Sequence, residues 1–191
     1  MSQLSFFSAE AMPPALDDLE GVLAGPGRAT LTDDGARLSV LVTDAWRSLA
    51  LLAGLDGLGL SGEVTTTSDD ELVVRTPVLE ELRPMAERWT SGAVKRPPAG
   101  FALDGAKLRW WCLAAGAADD KGVVLRLGQH DEEAWPAIGS ALSGAGIPSV
   151  FLPDGGGGPA YKVVGAKRLR RLAELVGAPP PDAPEGCWPR G

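Results

Sequence analysis

Hydrophobic and polar positions along the chain fall into two kinds of segment. Short β-branched runs bounded by turn formers, such as Arg37–Val42, Leu72–Val74, Val123–Leu127 and Lys162–Val164, have the composition of strands. Apolar residues three, six and seven positions apart, as in Leu79, Leu82, Met85, Ala86 and again in Leu169, Leu172, Leu175, Val176, trace one buried helix face. Asp33-Asp34-Gly35 and Asp119-Asp120-Lys121-Gly122 supply hairpin turn chemistry between runs. Each half of the chain therefore predicts a helix, two strands, a helix, one or two strands and a closing helix.

The two halves say the same thing. Leu19-Glu20-Gly21-Val22-Leu23-Ala24-Gly25-Pro26-Gly27 is a small-residue apolar stretch, and Arg109-Trp110-Trp111-Cys112-Leu113-Ala114-Ala115-Gly116 is its counterpart. Gly27 and Gly116 stand 89 apart, as do Trp46 and Trp135, and Leu72-Val73-Val74 precedes Lys162-Val163-Val164 by 90. A near-constant offset over most of a chain marks an internal duplication. The boundaries it implies are an N-terminal peptide over 1–14, a first repeat over 15–90, a linker over 91–106, a second repeat over 107–178 and a Pro-rich tail over 179–191 expected to be disordered. Gly155–Gly158, after Pro153-Asp154, has the makings of a flexible loop.

Composition removes several functions. One histidine, His130, and two scattered cysteines, Cys112 and Cys187, offer no zinc pattern and no nucleophile with a base beside it. His130 with Asp131 has the composition of a helix start. The longest apolar stretch, Ser48–Gly62, is interrupted by Asp56, so neither a membrane span nor a signal peptide is expected, and the cysteine usage fits a reduced cytoplasmic setting. A net charge of −7 argues against generic nucleic-acid binding, but the charge is uneven: residues 1–90 carry 15 acids and 6 bases, residues 91–191 carry 10 and 12. The densest basic run, Lys167-Arg168-Leu169-Arg170-Arg171, has two readings, a solvated helix face around Leu169 and Leu172 or a phosphate-contacting patch confined to the second copy.

Each copy resembles a LAGLIDADG repeat, the unit of the homing endonucleases, and more closely its catalytically silent version in WhiA-type sporulation regulators. The resemblance spans residues 15–177 and implies an α+β fold of two α-β-β-α-β-β-α repeats, with antiparallel sheets and a pseudo-twofold axis, in a monomeric, pseudo-dimeric chain. Gly21, Ala24 and Gly25 on one first helix, and Ala114, Ala115 and Gly116 on the other, leave room for two backbones to approach. Active family members hold divalent metal with an acidic residue at the end of each such helix. Pro26 and Ala115 fall at those positions here, and neither can ligate. A shifted register offers Asp120 in the second copy but lands on Leu31 in the first. The resemblance thus implies a non-enzyme with no metal and no cofactor, with a nuclease as the least supported alternative. It also implies duplex DNA on the sheet faces, where Arg28, Arg37, Arg75, Lys121, Arg126 and Lys162 are the candidates. Strand side chains alternate, so about half of these face any ligand. Two alternatives stay open: ordinary surface arginines, and a protein-interaction module whose acidic first half docks a basic partner.

Gln3-Leu4-Ser5-Phe6-Phe7 precedes any predicted element. It resembles the bacterial sliding-clamp binding peptide, with Phe6 where leucine is usual; Gln3 would bond at a pocket rim and Leu4, Phe6 and Phe7 would fill the pocket. The competing reading folds Phe6 and Phe7 back onto the first helix. The richness in Ala, Gly, Arg and Pro resembles that of actinobacterial proteins.

Overall fold

The computed structural model describes residues 8–9, 12–153 and 157–191. In the first half a 3-10 turn, Leu16–Leu19, leads into α1 (Glu20–Ala24), the hairpin β1 (Arg28–Thr32) and β2 (Gly35–Val42), α2 (Ala45–Gly57), β3 (Glu63–Thr66), β4 (Leu72–Arg75) and α3 (Arg83–Trp89). Two short strands, β5 (Thr90–Ser91) and β6 (Val94–Lys95), form a hairpin of their own. The second half repeats the order: α4 (Gly105–Ala115), β7 (Gly116–Asp119), β8 (Gly122–Arg126), α5 (Trp135–Gly144), β9 (Val150–Leu152), β10 (Ala160–Val163) and α6 (Ala166–Val176). Both halves build a four-stranded antiparallel sheet in the same order, β1-β2-β4-β3 and β7-β8-β10-β9.

Local chemistry explains the element ends. The Asp104 side chain caps α4 by accepting the Lys107 backbone N–H at 2.9 Å. Pro84 and Pro136 sit in the first turns of α3 and α5, where the missing N–H would have no helical partner. Gly35 and Gly122 follow the two turns with φ of 143° and 146°, a conformation that favours glycine.

Alternation sorts each sheet into a covered and an open face. Ala36, Leu38, Val40 and Val42 of β2, and Val123 and Leu125 of β8, point into a core shared with the helices. Helix α4 buries nearly its whole circumference, Leu108 and Trp111 included, and so forms the spine of the molecule. Its main helical neighbour is α1. A Cβ at Gly21 would lie 1.8 Å from the Lys107 carbonyl oxygen and one at Gly25 2.7 Å from Trp111 Cδ1, so the close approach admits only glycine. Ala24 and Ala114 are buried in the same core, while Ala115 is half-buried and Gly116 ends α4.

The two copies match less uniformly than the sequence suggests. Thr32 pairs with Gly35 as Asp119 pairs with Gly122, and Ala29 with Leu38 as Gly116 with Leu125, an offset of 87 rather than 89. The first copy has three residues between helix and strand where the second has none, because Pro26 ends α1 early and Gly25-Pro26-Gly27 becomes a link. Leu72-Val73-Val74 is not the counterpart of Lys162-Val163-Val164: Val74 lies beside Val40, whereas the equivalent Leu127 bonds to Pro159. Val73 consequently shares the face of Leu41, and Val163 faces the core.

The Pro-rich end also departs from expectation. Trp188 is buried, donates its indole N–H to the Gly177 carbonyl at 2.9 Å and stacks under Arg109, and these contacts hold a segment whose composition suggested disorder.

Burial separates the two cysteines. Cys112 lies inside α4, and desolvation pushes its thiol up to about 12, whereas Cys187 is half-buried in the tail. A thiol reagent is expected to titrate one cysteine in the native protein and two in denaturant. From about pH 9 the unfolded chain releases the Cys112 proton and the folded chain keeps it, so stability falls as pH rises toward 12. Chemical denaturation of Cys112→Ala across that range should show a smaller fall than the unchanged protein.

Candidate functional site

Five of the six basic residues proposed as DNA-facing project from the open faces. In the first sheet one cross-strand row runs Glu63, Arg75, Ser39, Arg28, and Arg37 stands beside Thr30 in the next. In the second, Arg126 pairs with Ala160 and Lys162 with Val124, both opposite to the core-facing Leu125 and Tyr161. Lys121 sits at the β7–β8 turn instead, its N–H bonded to Asp119. The alternation argument allowed about half to share a face; the strand registers put all five strand residues there. Arg37 Nε, Arg75 Nε and Arg126 Nη1 are each buried without a hydrogen-bond partner.

Between the two sheets lies a cleft of about 600 Å³. Its floor is the C-terminal end of α4, Ala114 to Gly116, together with Pro26, and its walls carry Arg28, Arg126, Gln129 and His130 against Asp44 and Glu71. His130 therefore faces the cleft from a turn, and α5 starts only at Trp135.

A buried cation closes the end of each central helix. Arg47 of α2 donates from Nη1 to the Cys112 and Leu113 carbonyls at 2.9 and 3.0 Å and from Nη2 to Gly116, with Nε on Asp44 at 3.1 Å. The guanidinium thus takes up the Leu113 and Gly116 carbonyls and shares that of Cys112 with the Gly116 N–H, at the negative end of the helix dipole. Lys95 of β6 does the same for α1, donating to the Gly25 and Gly27 carbonyls at 2.7 and 3.1 Å. Its Nζ also lies 2.6 Å from Asp131 Oδ2, a close ion pair set off hydrogen-bonding geometry, and Arg28 meets the other carboxylate oxygen at 3.3 Å. Burial pushes the Lys95 ammonium down from its ordinary range despite that carboxylate.

No family model and no curated protein sequence matches the chain. Solved structures do. The homing endonuclease I-WcaI bound to its DNA recognition sequence matches with a TM-score of 0.60 at 12% identity, covering 92% of this chain and 83% of that one. The N-terminal LAGLIDADG domain of DUF199/WhiA matches with a TM-score of 0.57 at 11% identity, covering 94% and 93%. The full-length DUF199/WhiA from Thermatoga maritima gives 0.59 at 14%, covering 91% of this chain and 62% of that protein. The fold is that of the LAGLIDADG domain.

Pro26, which the resemblance sets at a helix-end acid position, lies in the link after α1, and Ala115, set at the other, is the last residue of α4. Neither side chain has a donor atom for a metal, and each helix end is already taken by a cation. Among the described residues no group of three or more His, Cys, Asp or Glu is placed to hold a metal ion. A divalent pair of the kind active LAGLIDADG repeats hold does not fit here. Asp120 gives no substitute, since it lies in the β7–β8 turn, at the far end of β7 from Ala115.

Arg47, Lys95 and Asp131 escaped the sequence reading. Arg47 had a signal, because Arg47, Leu51 and Leu55 recur every four residues and all face inward. Lys95 had none; its burial comes from a two-residue hairpin inside what reads as a linker. Gln3, Leu4, Ser5, Phe6 and Phe7 lie outside the described residues. Among the described residues no helix is long and apolar enough to cross a membrane.

Proposed function

We propose that this chain binds duplex DNA across the open faces of its two sheets and does not cut it. The observation that carries this function is the convergence of Arg28, Arg37, Arg75, Arg126 and Lys162 on the open faces of the two sheets. Guanidinium and ammonium groups gathered on one face are donors of the kind that phosphate oxygens accept. Local charge of this kind directs binding even when the net charge is −7. The LAGLIDADG fold, shared with an endonuclease bound to its DNA recognition sequence, supports the same surface.

Absence of cleavage rests on the helix ends, where Pro26 and Ala115 offer no carboxylate and Lys95 and Arg47 hold the neighbouring carbonyls. The test is duplex binding by fluorescence anisotropy as a function of salt. Affinity should fall as salt rises, and Arg37→Gln with Arg75→Gln and Arg126→Gln should weaken it by about tenfold or more, with a shallower salt slope. No binding at low salt would overturn the proposal, as would magnesium- or manganese-dependent cleavage for its non-catalytic half.

A tether to a bacterial sliding clamp extends the proposal and rests on the Gln3–Phe7 sequence alone. A peptide of residues 1–10 should bind a clamp in calorimetry, and the same peptide with Gln3→Ala and Phe7→Ala should not.

A further inference from the structure

The closing helices of the two copies, α3 and α6, treat their basic residues oppositely. In α3 both arginines are engaged by their own chain. Arg83 pairs with Glu80 at 3.2 Å and donates to the Thr32 and Asp33 carbonyls, and Arg88 pairs with Asp17 and Glu20 at 2.8 and 3.0 Å. In α6 the cations are Lys167, Arg168, Arg170 and Arg171, and among the described residues none of them forms an ion pair. Lys167, Arg168 and Arg170 are exposed and Arg171 is half-buried, while Leu172, Leu175 and Val176 fix the helix to the core. Lys167 and Arg168 stand in the first turn, where the helix dipole disfavours positive charge. Four like charges gathered on one short helix repel each other as well.

The patch is also separate from the open faces. Leu169 lies beside Ala118 and Val123, which point to the covered side of the second sheet. We infer that α6 is a second phosphate-binding surface, which contacts a separate segment of duplex DNA while the open faces hold the first. The chain would thereby bridge two duplexes. This rests on the DNA function proposed above and adds to it. An unpaired cationic stripe at helical spacing suits a repeating backbone charge better than a folded partner.

The experiment captures a labelled duplex on a bead-bound duplex through the full-length protein. The α6 variant, Lys167→Gln with Arg168→Gln, Arg170→Gln and Arg171→Gln, should bind a single duplex through the open faces yet lose capture by about tenfold or more. Circular dichroism melting should show it folded, since these side chains make no internal ion pair. A charge-keeping variant, Arg168→Lys with Arg170→Lys and Arg171→Lys, should still capture. Undiminished capture by the α6 variant would overturn the inference, and so would loss of capture in the charge-keeping one. Duplex binding by the unchanged protein with no capture at low salt would overturn bridging alone. Loss of all duplex binding in the α6 variant, with none lost in the open-face variant, would overturn the open-face function and bridging together. Retention through α6 on immobilised polyglutamate but not on duplex DNA would assign the helix to an acidic protein instead.

Discussion

Replacing Lys95 with methionine is expected to cost about 3–5 kcal/mol of stability, the range for breaking one side of a buried ion pair. The ammonium is 5% exposed and meets Asp131, itself 3% exposed, along with the carbonyls that end α1. Methionine matches its length but leaves the carboxylate with only Arg28, whose side chain is half in solvent, and strands two carbonyls. Urea denaturation should show the midpoint falling. A second change, Asp131→Asn, should make the double variant less unstable than the two single losses added together, because the lone buried charge is then gone. Additive losses would mean that Lys95 acts through packing and not through its charge.

Replacing Arg47 with methionine should cost about 2–4 kcal/mol, because the Leu113 and Gly116 carbonyls lose their Arg47 donor and Cys112 keeps only the Gly116 N–H. Asp44, its acidic partner, is half exposed and regains water, so little of the loss comes from the ion pair. Arg47→Lys should recover only a minor part. One ammonium cannot spread three donors over Cys112, Leu113 and Gly116 as a planar fork does. Thermal melting of the two variants side by side checks both statements, and equal stability of Arg47→Lys and the unchanged protein would show that charge alone suffices.

Much of the fold was legible because it is written in period and punctuation. The turns Asp33-Asp34-Gly35 and Asp119-Asp120-Lys121-Gly122, the strand runs on either side of them and the closing helices all announce themselves locally. Register was not legible. Val73-Val74 and Val163-Val164 look alike, yet loop length and hydrogen bonding turn Val73 outward and Val163 inward. The open-face arginines could be named but not aimed, since one residue of slip would have reversed every one of them. The cations at the helix ends were the least visible part. A charge on a helix face reads as solvent-exposed unless its spacing is checked against the apolar stripe, which Arg47 satisfies. For Lys95 the partner carboxylate lies 36 residues away, on the other side of α4 in sequence. Trp188 was hidden by its neighbours, as five prolines among the last thirteen residues outweighed one aromatic anchor.

The two helix caps also carry a history. Arg47 belongs to the first copy and closes a helix of the second, while the position matching it in the second copy, 89 residues on, is Pro136. The first copy's own helix is closed by a residue that neither ancestral repeat would have owned, Lys95 of the join, held by Asp131 from the far side. A symmetric pair built from either half alone would be missing the parts that finish it. The halves have become complementary and no longer equivalent: fission of the chain would part α4 from the Arg47 that closes it.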